Sequence, residues 1–167
     1  SEPSRPWITP PAQVAERLNT QFPFDTRTAQ YFTMLYGVLD TSQRRFRFVS
    51  AGHPAPILLP RAGAPQALDA AGLPIGLLAG GRYDECDLGL EVGDRVLLYS
   101  DGVSDAEDSS ERQFGSEGLL RALEATRALS LSDAIAEILR AVEDWCGDGG
   151  HKDDLSLVAF ELTDESG

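Results

Sequence analysis

Basic side chains are scarce in this chain: 14 Lys and Arg stand against 27 Asp and Glu, a formal net charge of -13. Such a balance repels nucleic-acid phosphates and anionic membranes, so neither is an expected partner. It suits a basic protein or divalent cations instead. Cysteine is nearly missing. Cys86 and Cys146 stand far apart and outside any Cys-x-x-Cys pattern; with no secretory signal they read as reduced thiols of a cytoplasmic protein. His53 and His151 are the two histidines, too few for a histidine-rich metal cluster. Apolar runs are short, and none reaches the length that crosses a bilayer. The opening Ser1-Glu2-Pro3-Ser4-Arg5-Pro6 has no initiator Met and no signal-peptide pattern, and reads as a cut or a loop entry. No Gly-rich phosphate loop, Cys/His zinc spacing or serine-hydrolase elbow occurs.

What is present suits one domain over residues 1–167, long enough for a sizeable core. Thr9 before Pro10-Pro11 signals a helix start; Val14, Leu18 and Phe22 then form one apolar stripe, and Pro23 closes it. Tyr31 to Leu39 is rich in β-formers on both faces and reads as a central strand. After a turn at Asp40-Thr41-Ser42, Arg45 to Ser50 alternates charged and aromatic residues, which predicts a half-buried strand and an antiparallel hairpin, with Phe46 and Phe48 in the core. Short strands follow at Pro56–Pro60, Cys86–Leu90 and Val96–Tyr99. The loop Ala71–Leu78 is expected to pack its leucines against the fold. Ser116 and Ser132 are candidate caps for two helices, the second carrying Ile135, Ile138, Leu139, Val142 and Trp145 on one face and ending at Gly147. Leu155–Leu162 is a last strand, with a fraying acidic tail. Helix, antiparallel strands, two helices and a strand predict an α+β fold.

The chemistry concentrates at two breaks. The apolar run Val96-Leu97-Leu98-Tyr99 stops at Ser100-Asp101-Gly102 and enters a loop holding Asp105, Glu107, Asp108 and Glu111. A carboxylate at the end of a buried strand is a pre-ordered ligand for a hard cation, although Asp-Gly is also ordinary turn chemistry. Lys152-Asp153-Asp154 precedes the last strand in the same manner, and matters if that strand neighbours the one carrying Asp101. His53, between Gly52 and Pro54, reads as a turn residue ahead of a ligand or general acid. His151 stands near Asp153.

Four segments, taken in order, carry a resemblance: Phe48-Val49-Ser50-Ala51-Gly52-His53-Pro54-Ala55-Pro56, Gly72-Leu73-Pro74-Ile75-Gly76-Leu77, Leu97-Leu98-Tyr99-Ser100-Asp101-Gly102-Val103-Ser104-Asp105-Ala106 and Lys152-Asp153-Asp154-Leu155-Ser156-Leu157. Together with Leu18-Asn19 and Phe32–Asp40, this set resembles the bacterial PP2C-like (PPM) serine/threonine phosphatases of the SpoIIE/RsbU type, from about Pro10 to Leu162. The resemblance implies paired antiparallel sheets sandwiched between helices. It implies hydrolysis of phosphoserine or phosphothreonine, with two Mn²⁺ or Mg²⁺ ions activating a water that attacks phosphorus in line. By motif position Asp101 and Asp153 are the catalytic metal ligands. Asp154 is the neighbour of Asp153, and Gly102 and His53 are candidates to shape or support the site. Implied substrates are phosphorylated regulatory proteins, such as anti-sigma-factor antagonists.

The family's first metal ligands lie upstream of the matched segments, in a Gly-Asp and an Asp-x-x-Gly-His-Gly motif. Neither stands ahead of Pro10 here, so the chain resembles the later part of the domain. Two functions follow as expectations: a metal-dependent phosphatase, or a non-catalytic phosphatase-like adaptor that keeps the fold for protein contacts. An upstream sensor or receiver domain, or self-association, is a further expectation, because open sheet edges invite completion.

Overall fold

Alternation in Arg45–Ala51 puts Phe46, Phe48 and the small Ser50 on one side of a strand, and that strand anchors the first half of the molecule. The structure, a computed structural model, describes residues 8–24, 27 and 30–164. The proline-rich opening and the last three residues of the acidic tail lie outside them. Contacts sort the chain into two compact units. One comprises the described residues up to Asp40, with Arg45–His53 and Ala70–Leu88. The other comprises Thr41–Arg44, Pro54–Asp69 and the described residues from Gly89 onward.

In the first unit, α1 (Pro11–Gln21) packs on a three-stranded antiparallel sheet ordered β1 (Met34–Asp40), β2 (Arg45–Ala51), β5 (Cys86–Gly89). The expected hairpin is present, with Met34 opposite Ala51 and Asp40 opposite Arg45. Phe46 and Phe48 are buried and stack 5.0 Å apart. Gly37 faces them; a Cβ there would meet the Phe46 ring at 2.5 Å. Three expectations need correction. The predicted central strand begins three residues late, at Met34, and β1 is an edge strand among the described residues. Phe32 makes only an isolated bridge to Ile75. Helix α1 is entered through Pro10 without a Thr9 cap, and it buries Pro11, Ala15 and Asn19 while Phe22 is exposed. The loop after Ala71 is anchored by Ile75, whereas Leu73, Leu77 and Leu78 are exposed.

Asn19 explains the departure in the loop. Its Oδ1 accepts from Gly76 N at 2.8 Å and its Nδ2 donates to Leu78 O at 2.9 Å. A buried amide with both ends satisfied ties the helix to the loop. The loop is therefore held by its backbone, and its leucines need not be buried. Gly72 belongs to the same construction: Gly52 N donates to its carbonyl at 2.7 Å, and a side chain at Gly72 would overlap Ser50 O.

The second unit is a four-stranded antiparallel sheet ordered β4 (Gln66–Ala67), β3 (Ile57–Leu59), β6 (Arg95–Tyr99), β7 (Leu157–Glu161). Helices α3 (Gly115–Ala125) and α4 (Leu131–Cys146) pack on it around Ile57, Leu59, Leu97, Leu119, Ile138 and Val142. Helices laid on antiparallel sheets are the α+β class expected. The caps differ from expectation. Helix α3 starts at Gly115, preceded by Phe114, and Ser116 lies inside it. For α4 the cap is Ser130, whose Oγ accepts from Asp133 N at 3.2 Å, and not Ser132. Gly147 does end α4, at φ +59°.

Candidate metal centre

Strands β6 and β7 are antiparallel neighbours, in register from Arg95 opposite Glu161 to Tyr99 opposite Leu157. The end of one is therefore beside the start of the other. That single pairing brings Asp101, two residues past β6, to the loop of Asp153 and Asp154, which leads into β7. The condition posed by the sequence is met by β-sheet register alone.

Ser100 ties the two breaks together. Its N–H donates to Ser156 O at 3.0 Å, its Oγ donates to Asp154 O at 3.2 Å, and the same Oγ accepts from Ser156 N at 3.0 Å. The chain then turns into α2 (Asp101–Ser104), so the expected loop begins as one helical turn. Asp101 Oδ1 accepts from Gly102 N at 3.0 Å, and its carbonyl accepts from Asp105 N at 2.8 Å and Ser104 Oγ at 3.1 Å. Asp153 Oδ1 likewise accepts from Asp154 N at 2.8 Å. Both carboxylates are solvent-exposed and oriented by the next backbone N–H. Gly102 is buried where the segments meet; a Cβ there would be 2.5 Å from Asp154 O and 3.4 Å from the Asp153 side chain.

The acidic segment after α2 is more ordered than a solvated loop. Asp108 holds a tight turn: Oδ1 accepts from Ser110 N at 2.8 Å and Arg112 N at 3.0 Å, and Oδ2 pairs with the Arg112 guanidinium. Those bonds, led by the Arg112 backbone N–H, hold the Asp108 carboxyl below the usual carboxylate range. Arg112 also lies over Trp145, whose indole N–H donates to Arg112 O at 3.0 Å, so α4 clamps the turn. Between this turn and the Asp153 loop is a cavity of about 210 Å³, lined by Gly102, Asp105, Glu107, Gly150, Lys152 and Asp153. Lys152 Nζ donates to Glu107 Oε2 across it at 2.6 Å.

Asp101, Gly102, Asp153 and Asp154 thus come together. His53 belongs to the other unit, after Gly52 at φ +71°, and its carbonyl accepts from Ser50 Oγ at 2.6 Å. His151 is exposed. Sequence reasoning passed over Ser100 and Asp108. The Asp108-Ser109-Ser110 run carries an Asx-turn signal that could have found the latter; the role of Ser100 depends on a strand 56 residues away and left no local trace.

Carboxylates on rigid mounts suit a hard divalent cation, which takes oxygen ligands. Among the described residues, however, no group of three or more His, Cys, Asp or Glu could hold an ion. Asp101 and Asp153 by themselves do not make up such a group.

Residues 5–163 match the family model described as Stage II sporulation protein E (SpoIIE). The phosphoserine phosphatase RsbU of Bacillus subtilis is 31% identical over 96 residues, 57% of this chain and 29% of RsbU. The chain spans between 20% and 29% of the curated relatives it matches. Among solved structures, the SiaA-PP2C domain of Pseudomonas aeruginosa superposes with a TM-score of 0.79 at 19% identity, over 91% of this chain and 61% of that one. The manganese-presoaked SpoIIE phosphatase domain of Bacillus subtilis superposes with a TM-score of 0.59 at 13% identity, over 100% of this chain and 80% of that one. These two likenesses show the fold.

Proposed function

The chain belongs to the SpoIIE family of PP2C-like phosphatase domains, and from that premise we propose that it serves metal-dependent hydrolysis of phosphoserine or phosphothreonine on a regulatory protein. The observation that carries the reading is the β6–β7 register, which joins the Asp101 break to the Asp153 break. Asp101 and Asp153 would hold Mn²⁺ or Mg²⁺. When bound, such ions supply charge neutralisation for phosphoryl transfer to water. The chain's own share is to orient the two carboxylates through the Gly102 and Asp154 N–H groups and to keep the segments close through Gly102 and Ser100. The relative RsbU is a phosphoserine phosphatase by name, which supports the substrate class. A phosphorylated anti-sigma-factor antagonist is the kind of substrate this reading favours.

A second reading, a phosphatase-like adaptor without catalysis, draws on the lack of a three-ligand group among the described residues. One assay separates the two. Hydrolysis of a phosphoserine protein is measured with Mn²⁺ and with EDTA on the protein as its gene encodes it, as wild type, Asp101→Asn and Asp153→Asn. The phosphatase reading expects Mn²⁺-dependent turnover that either substitution lowers by about 100-fold or more, as for loss of a charge-stabilising group in a catalytic site. Full activity in both variants would sink the metal assignment, and no Mn²⁺-dependent turnover in wild type would favour the adaptor. These 167 residues by themselves are expected to bind divalent ions weakly and turn over little, because two carboxylates under-neutralise a pair of dications. Calorimetry showing tight two-site Mn²⁺ binding would contradict that.

A further inference from the structure

Beside the two candidate ligands, the cavity of about 210 Å³ carries three acids on its wall, Asp105, Glu107 and Asp153. A phosphorylated side chain is itself close to a dianion, and an acidic wall repels it. Among the described residues Lys152 is the one cationic side chain lining that cavity. It is adjacent in sequence to Asp153, which sets its backbone at the candidate metal centre. Its ammonium donates to Glu107 at 2.6 Å, with the Lys152 side chain 79% exposed and that of Glu107 30% exposed.

We infer that Lys152 is a substrate-positioning residue, which leaves Glu107 and takes a phosphoryl oxygen when a phosphorylated side chain enters this cavity. The inference rests on the phosphatase reading for its substrate, and its geometry is independent of it. An ion pair this exposed is well screened by water and cheap to exchange. A phosphoryl group offers more charge and stronger acceptor oxygens than a carboxylate, and lysine is a common point-charge partner for phosphate. Glu107 then has a definite part. It holds the long lysine side chain across the cavity in the resting protein, which lowers the ordering cost of capture. It also competes with phosphate for the ammonium. The turn carrying Glu107 is fixed by Asp108, Arg112 and Trp145, so the anchor for Lys152 is rigid.

The test titrates inorganic phosphate by ³¹P NMR in the presence of Mg²⁺ into wild type, Lys152→Met, Lys152→Arg and Glu107→Gln. Mg²⁺ affinity is measured in parallel by calorimetry. We expect Lys152→Met to weaken phosphate binding roughly three- to tenfold, Lys152→Arg to retain it, and Glu107→Gln to strengthen it, as for a screened charge-assisted contact. Mg²⁺ affinity and thermal midpoint should stay at wild-type values in Lys152→Met. With a phosphoserine peptide, the same variant should raise KM more than it lowers kcat. Phosphate binding equal in wild type and Lys152→Met, or absent from wild type, would overturn the assignment. So would loss of phosphate and Mg²⁺ binding together in Lys152→Met, which would mark a structural role. Absence of Mn²⁺-dependent turnover in wild type tells against the phosphatase reading alone, because the phosphate titration still decides the role of Lys152.

Discussion

Gly102 is the residue on which the candidate centre closes. It sits between a carboxylate and the first buried turn of α2, and its missing side chain lets the backbone come against Asp154 O. The obstructing atom is a backbone oxygen, so no rotamer change relieves an added methyl. Gly102→Ala must push the Asp153–Asp154 loop away or distort α2. Forcing one carbon into a well-packed contact costs about 1–3 kcal/mol, which circular dichroism would register as a lowered thermal midpoint. The more telling outcome is functional: Mn²⁺-dependent phosphatase activity should fall in Gly102→Ala even under conditions where the protein stays folded. A variant with normal activity would mean that the two breaks need not approach this closely. Ser100 acts at the same junction by hydrogen bonds on both sides of the gap, and it lacks the side-chain cap role toward α2 that its position suggests.

Helix α4 shows how caps are chosen at the scale of an element. The sequence points to Ser132 as the start, because it precedes an apolar periodic stretch. The structure selects Ser130, which accepts from Asp133 N and whose hydroxyl also donates to the Asp133 carboxylate at 2.7 Å. Ser130→Ala should cost about 1 kcal/mol of stability, the ordinary value for a helix N-cap. Ser132→Ala, within the helix and exposed, should stay within about 0.5 kcal/mol of wild type. Chemical denaturation of the two variants checks this, and the reverse order would place the helix start two residues later. Most strands and the two long helices were legible because their signals are local: alternation in Arg45–Ala51, four-residue spacing through Ile138 and Val142, a closing glycine at Gly147. The candidate ligands Asp101 and Asp153 were legible through their motifs. Their proximity was not, since it depends on two strands far apart in the chain choosing each other. Asn19 was hidden for a similar reason. A polar residue on the buried face of an amphipathic helix contradicts the apolar pattern unless its distant loop partners, Gly76 and Leu78, are known. The edge position of β1 also depends on sheet order, to which the β-rich composition of Tyr31–Leu39 gives no clue.

For the whole molecule, charge is the property that composition decides and that pH can probe. A formal net charge of -13 opposes the compact state through self-repulsion. Against it stand several carboxylates held below their usual range by arginine: Asp87 by the hydrogen bond from Arg45, Asp108 by the Arg112 backbone and side chain, and Glu124 by Arg127. A carboxyl whose pKa is lower folded than unfolded binds fewer protons in the native state. Its stabilisation is present above the unfolded carboxylate range and is lost as pH falls through the folded value. Asp87 and Glu124 are exposed, and Asp108 pairs with an exposed Arg112 guanidinium, so each pair contributes little after screening. The net repulsion should therefore dominate near neutral pH. Raising NaCl from low to about 0.5 M, which shortens the screening length severalfold, should raise the thermal midpoint at pH 7. The salt effect should vanish near the sequence pI of 4.4, where the repulsion is gone. Below about pH 4, where unpaired carboxyls protonate, the arginine-held carboxylates should dominate and stability should fall. Differential scanning calorimetry across pH at two salt concentrations tests the balance. A midpoint that drops with salt at pH 7 would show that the arginine pairs outweigh the charge excess.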